Sequence, residues 1–368
     1  MENIYLDDWG AVKERFNRWW AREPLGRPLM RVVAMGKPRA ESVPDAEEYA
    51  DVTDSYTNVE RMIVNYKNFC GTHYFLAEAF PSFSMNFGPG SLALYIGSEP
   101  VFTDETVWFS ETMADIRDAG RLVYDPDNIW WRTHLDMFKR AAPLAGNEFL
   151  VDIPDIVENI DILAALRGPQ NLCYDLMDEP EAVKKALGML NAVYFTYYDA
   201  IYDIVKGSDG SSAYTAFAIW GPGKTAKVQC DFNTMMSPGQ FREFVLPGLK
   251  EQCAALDNSI FHLDGPDAIK HAPAVAEIAG LNALQWTCGA GQPDGGNEKW
   301  FGMYDIVLGA GKNLWLAISD GGPADWAASA SRLIKRYGPD RLYLIFPTFE
   351  SKKEAEGLIG AVEAASRL

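Results

Sequence analysis

The chain has 368 residues, 48% of them hydrophobic, and a formal net charge of −18. That charge argues against a nucleic-acid partner, which would need Lys and Arg to neutralise phosphates, and no apolar run is long enough to cross a bilayer. Five scattered cysteines (Cys70, Cys173, Cys230, Cys253, Cys288) without CxxC spacing suit reduced thiols in a cytoplasmic setting.

The start, acidic through Glu2, Asp7 and Asp8, lacks the basic-then-apolar order of a signal peptide. Residues 1–28 read as an N-terminal helical arm, with Val12, Phe16, Trp19 and Trp20 at helical spacing. A first buried strand runs from Pro28 to Gly36, a helix from Tyr56 to Phe69, and a second strand from His73 to Phe80. Residues 81–126 form an irregular, aromatic-rich insertion, in which Pro100–Phe109 looks like a hairpin with a Thr-Asp-Glu turn. It could wall a pocket through Phe87 and Trp108, or simply pack on the surface.

Residues 126–145 return to helix, and Phe149–Pro154 is a short third strand ending in Asp152 and Asp155. Helices follow at Asn159–Leu166 and Glu179–Val205, then an apolar strand at Thr215–Trp220 and another at Lys227–Phe232. Ser237-Pro238 opens a helix, cap then proline, running to about Leu256. Ile260–Leu263 is a strand leading into Asp264, Gly265 and Pro266, where glycine allows the turn and proline suits a helix start. Strands at Ala283–Cys288, Leu314–Asp320 and Leu342–Pro347 alternate with helices to the end. Strands starting near 29, 73, 149, 227, 258, 283, 314 and 342 predict an α/β fold: one closed (β/α)8 TIM barrel over 1–368, with an open doubly wound sheet as the alternative.

Strand parity then sorts the polar residues. Side chains alternate along a strand, so Ile260, His262 and Asp264 share one face while Phe261 and Leu263 share the other. The same rule turns Gln229 and Asp231 inward beside apolar Val228, Cys230 and Phe232, and Gln285 and Thr287 inward beside Leu284 and Trp286. Three neighbouring strands thus end in polar groups, which buried would need partners. A ligand or metal is one explanation; a self-satisfied hydrogen-bond network is the other. Asp264, Asp231, Gln229 and Gln285 are the candidate catalytic residues. Cys288 escapes the helix-facing side only if the chain turns after Thr287, and Cys230 reads as a buried core thiol. Glu78, Phe87, Trp108 and Asp155 are candidate substrate contacts, although acidic strand ends often only cap the next helix. His73, His134 and His271 read as structural or surface, and no glycine turn has the spacing of a P-loop or dinucleotide fingerprint.

Val228-Gln-Cys-Asp-Phe232, Met236-Ser-Pro-Gly-Gln240 with the helix to Pro247, and Phe261-His-Leu-Asp-Gly-Pro266 together resemble the uroporphyrinogen decarboxylase superfamily. The similarity runs over most of the chain and is best in 225–292. It implies a TIM barrel and, besides decarboxylation, methyl transfer to or from corrinoid proteins, often with zinc. Val32-Val-Ala-Met-Gly-Lys37 stands where the decarboxylase has its Arg-Gln-Ala-Gly-Arg grip, so porphyrin decarboxylation is not expected. The thiol-methylating members carry His-x-Cys and a late cysteine; here His262-Leu-Asp264 and Phe346–Glu350 lack both thiols. A carboxylate and imidazole set makes a harder zinc, better suited to polarising an oxygen.

The resemblance therefore implies a methyltransferase that passes a methyl group from a small methoxylated or N-methylated compound to cobalamin on a corrinoid protein. Its zinc would be held by His262, Asp264 and Cys288, with Asp231 as a further ligand or acid. A metal-free decarboxylase or lyase acting on a small carboxylate is the alternative. A homodimer is compatible with either.

Overall fold

The computed structural model describes residues 4–38, 40–157 and 159–367, so residues 1–3 of the expected arm lie outside the described residues. Seven strands form the central sheet: β1 (Leu29–Met35), β2 (His73–Ala77), β3 (Thr225–Gln229), β4 (Asn258–Asp264), β5 (Ala283–Thr287), β6 (Asn313–Ala317) and β7 (Leu342–Ile345). Their order is β2-β1-β7-β6-β5-β4-β3. Six run parallel, and β2 is antiparallel to β1. Helices connect the parallel strands, as crossover geometry requires.

The expected ring of eight strands does not form, because among the described residues the ladder holds seven strands and does not close. Helix Val59–Thr72 runs straight into His73, and the chain reverses at Ala77, whose φ is 54°. β2 is thus a short returning edge. Beyond it, among the described residues, Ser82–Phe83 pairs only with Leu150–Val151. Isolated hydrogen bonds bridge the remaining sector: Glu78 N to Met30 O at 2.9 Å, Ile153 N to Ala213 O at 3.0 Å, and Thr225 N to Ser212 Oγ at 3.0 Å. Of the expected strand at Thr215–Trp220, Thr215–Phe217 is instead the 3-10 bend of a hairpin, and Ile219 and Trp220 belong to its second strand, Ser212–Tyr214 against Ile219–Gly221. Aromatic side chains take its carbonyls: Trp315 Nε1 donates to Phe217 O, Tyr343 Oη to Ala218 O and Trp20 Nε1 to Trp220 O.

Parity along the strands follows the sequence reading. Phe261, Leu263, Leu284, Trp286 and Val228 pack in the outer core beneath the helices. Ile260, Ala283, Trp315 and Tyr343 lie on the inner face, packed against helix α1 (Trp9–Ala21). Asp8 caps α1 by accepting from Ala11 N, and Trp9, Val12, Phe16, Trp19 and Trp20 form its buried stripe. Phe16 and Trp19 reach Tyr343 edge-on, with ring centroids 5.6 and 5.9 Å apart. The arm therefore covers the inner face at the N-terminal ends of the strands, and the C-terminal ends of β3, β4 and β5 carry the polar residues.

Candidate active site

The register brings those polar residues side by side, with His262 opposite Gln229 on one neighbour and Gln285 on the other, and Asp264 opposite Thr287. Gly265, at φ 78°, turns the chain away and donates to Thr287 O at 2.9 Å. β3 ends at Gln229, two residues earlier than Asp231, which opens a short 3-10 turn. That turn is held by a residue the sequence reading passed over. Asp161, in helix α2 (Asn159–Arg167), accepts from Asp231 N and Phe232 N, each at 2.9 Å.

Asp231, His262 and Asp264 present ligand atoms that all lie within 4.8 Å of one another. His262 Nδ1 is hydrogen-bonded to Gln285 Oε1, whose Nε2 donates to Thr287 Oγ1 at 2.9 Å. An amide oxygen accepts only, so Nδ1 carries the proton and Nε2 is left with its lone pair. Nε2 faces Asp231 Oδ1 at 3.8 Å. Burial and the Lys227 ammonium lower the His262 pKa, which keeps the ring neutral at pH 7. Desolvation and the carboxylates of Asp161, Asp264 and Asp155 lift Asp231 to about 7, against the pull of Lys227. A neutral imidazole with an oriented lone pair beside two crowded carboxylates is a donor set that fits a divalent cation such as zinc.

Lys227 was missed from the sequence although it shares the parity of Gln229 and Asp231. Its side chain is 4% exposed and pairs with Asp155 at 2.6 Å. Asp155 thus sits at the site as an ion-pair partner. Phe217, also unforeseen, lies against the imidazole with centroids 5.5 Å apart.

Two hollows flank the cluster. One, of about 450 Å³, is walled by Trp108, Phe109, Ile162 and Phe232 and reaches Gln229 and Asp231 at its floor. Here the expected hairpin exists, Pro100–Phe102 against Val107–Phe109, and it brings Trp108 to the wall. The other, of about 470 Å³, is more polar and is lined by Asp264, Gln285, Thr287, Gln292 and Ser319 among others.

Of the remaining expected site residues, Phe87 and Glu78 fall elsewhere. Phe87 is fully buried, packed on Phe102, Trp130 and His134, so a substrate cannot reach it. Glu78 is buried at the opposite end of the sheet, where it holds Arg15 at 2.6 Å and Arg27 at 2.8 Å and accepts from Met30 N. Cys288 follows the last residue of β5; it packs partly against the outer core and also lines the polar hollow. Burial, with Asp294 and Asp320 nearby, pushes its thiol up to about 12. Among the described residues it is not part of the three-ligand cluster; Asp231 completes that set. Cys230 is a buried core thiol, and His134 and His271 are buried and hydrogen-bonded to backbone carbonyls.

No family model matches the chain, and no curated protein matches it. Among solved structures it is similar to a methyltransferase from Methanosarcina mazei, at 14% identity and a TM-score of 0.63, over 96% of this chain and 98% of that one. A looser likeness, at 9% identity and a TM-score of 0.45, is to a B12-independent methionine synthase from Shewanella sp. W3-18-1 in complex with selenomethionine, over 92% of this chain and 96% of that one. The first likeness shows a shared fold across nearly the whole of both chains.

Proposed function

We propose that this chain is a methyltransferase of the uroporphyrinogen decarboxylase superfamily. It would move a methyl group from a small methoxylated or N-methylated compound to cobalamin on a corrinoid protein. The observation that carries the reading is the convergence of His262 Nε2, Asp231 and Asp264 between an aromatic-walled hollow and a polar one. These three residues would hold zinc, with Gln285 keeping the imidazole in the ligating tautomer. When bound, the metal supplies a Lewis acid that draws charge from the leaving oxygen or nitrogen.

The rest of the work belongs to side chains. Trp108, Phe109, Ile162 and Phe232 would offer apolar surface to a methyl donor on one side of the cluster. The shared fold with a methyltransferase supports the reading without extending to its substrates.

Metal analysis of the purified protein tests this directly. Zinc is expected near one equivalent, with methyl transfer to cob(I)alamin from methoxylated aromatics or methylamines. His262→Ala should lose the metal and cut transfer by more than about 100-fold, beyond the cost of disturbing an outer partner. Protein that takes up no zinc and transfers no methyl group defeats the proposal.

A metal-free decarboxylase or lyase is favoured by one feature, the upward-shifted Asp231, which could protonate a carbanion. The aromatic hollow speaks against it, since among the described residues its lining carries Glu111, Asp161 and Asp231 but no Lys or Arg to receive a carboxylate.

A further inference from the structure

Lys227 and Asp155 form an ion pair largely out of solvent, at 2.6 Å. Such a pair adds little stability compared with apolar residues of similar size, because desolvation offsets the attraction. The hydrogen bonds around it supply a different reason for its presence. An ammonium only donates, and Lys227 Nζ donates to Gln229 Oε1. The amide is thereby turned so that Nε2 donates to Asp161 Oδ2 and Asp231 Oδ2, each at 3.0 Å. With Oδ2 engaged, Asp231 presents Oδ1 toward His262 Nε2, 3.8 Å away. On the far side of the imidazole, Thr287 and Gln285 make the corresponding chain of contacts to Nδ1.

We infer that Lys227 and Asp155 are positioning residues. The pair seats the Gln229 amide, and through it aims Asp231 Oδ1 at the point that His262 Nε2 faces. This rests on the zinc reading above and adds to it residues that touch neither metal nor substrate.

Removing Lys227 alone would mix two opposed effects. A nearby ammonium repels a bound cation, so its loss would tighten binding even as the carboxylate lost its aim. Removing both charges together leaves the net charge unchanged and isolates the positioning effect. The test is zinc affinity, by competition with a chromophoric chelator, alongside thermal unfolding, for the parent and for Lys227→Met combined with Asp155→Leu. Affinity is expected to fall about 10- to 100-fold, with a melting temperature at or above that of the parent.

A double variant that binds zinc within about twofold of the parent overturns the inference alone, being well short of the loss of an outer partner. A parent that binds no zinc overturns both this inference and the zinc reading. Should the double variant fail to fold, Gln229→Met removes the middle of the relay and leaves the ion pair in place. The same loss of affinity is expected there, and unchanged affinity overturns the inference.

Discussion

Asp152 is 1% exposed, on the same face of its segment as Leu150, and Thr215 N donates to its Oδ2 at 2.7 Å. Burial outweighs that bond and raises its pKa to about 8. In the unfolded chain the same carboxyl titrates near 4, about the model-peptide value. Between those two pH values the folded protein keeps a proton that the unfolded chain has lost, so stability falls as pH rises through the window. Asp152→Asn keeps an acceptor for Thr215 N and removes the titration. Its melting temperature should exceed that of the parent by on the order of 5 °C more at pH 8 than at pH 5; an offset equal at both pH values would disprove the assignment. Parity made His262, Asp264, Gln229 and Gln285 legible because side-chain direction along a strand is local. Lys227 obeyed the same rule and was still missed, since a lysine in a strand reads as solvent-facing until its buried partner is known. Asp161 gave no signal at all, as its role is to accept two N–H groups from a turn some seventy residues later.

At the scale of elements, α1 was readable as a helix, but its task was not. Its apolar stripe covers the aromatic inner face, and Arg15 on its flank is tied to Glu78. Glu78→Ala leaves two guanidinium groups facing a buried vacancy and should cost about 3–5 kcal/mol of unfolding free energy. Chemical denaturation measures that loss, and zinc affinity of the folded protein should stay unchanged, because Glu78 lies at the other end of the sheet. A fall in affinity with stability intact would return Glu78 to the substrate site. The Ser237 cap was read correctly, with its side chain accepting from Gln240 N and the Gln240 side chain answering. The bend at Thr215–Phe217 was not. An apolar run looks like a strand when nothing local says that Trp20, Trp315 and Tyr343 will take its carbonyls.

For the molecule as a whole, the ladder runs unbroken from β2 through β1 and round to β3, and the sector from residue 78 to residue 225 is closed by isolated bonds. Local opening follows the density of such bonds. Amides in Ser82–Phe83, Leu150–Val151 and Ser212–Tyr214 should exchange at least about tenfold faster than those in β4 and β5, as read by hydrogen exchange; equal protection would mean the sector is as cooperative as the ladder. Among the described residues no helix is long and apolar enough to cross a membrane. The amino-acid sequence by itself determined the α/β alternation, the inward parity of the polar strand ends and the amphipathic arm, because periodicity and capping are properties of neighbouring residues. Only the tertiary structure decided that β2 turns back, that Asp231 is the group lying within 4.8 Å of His262 and Asp264, and that Asp161 anchors the turn carrying Asp231 while Lys227 pairs with Asp155. Those outcomes depend on which strand ends meet and at what register, and no stretch of a few residues carries that information.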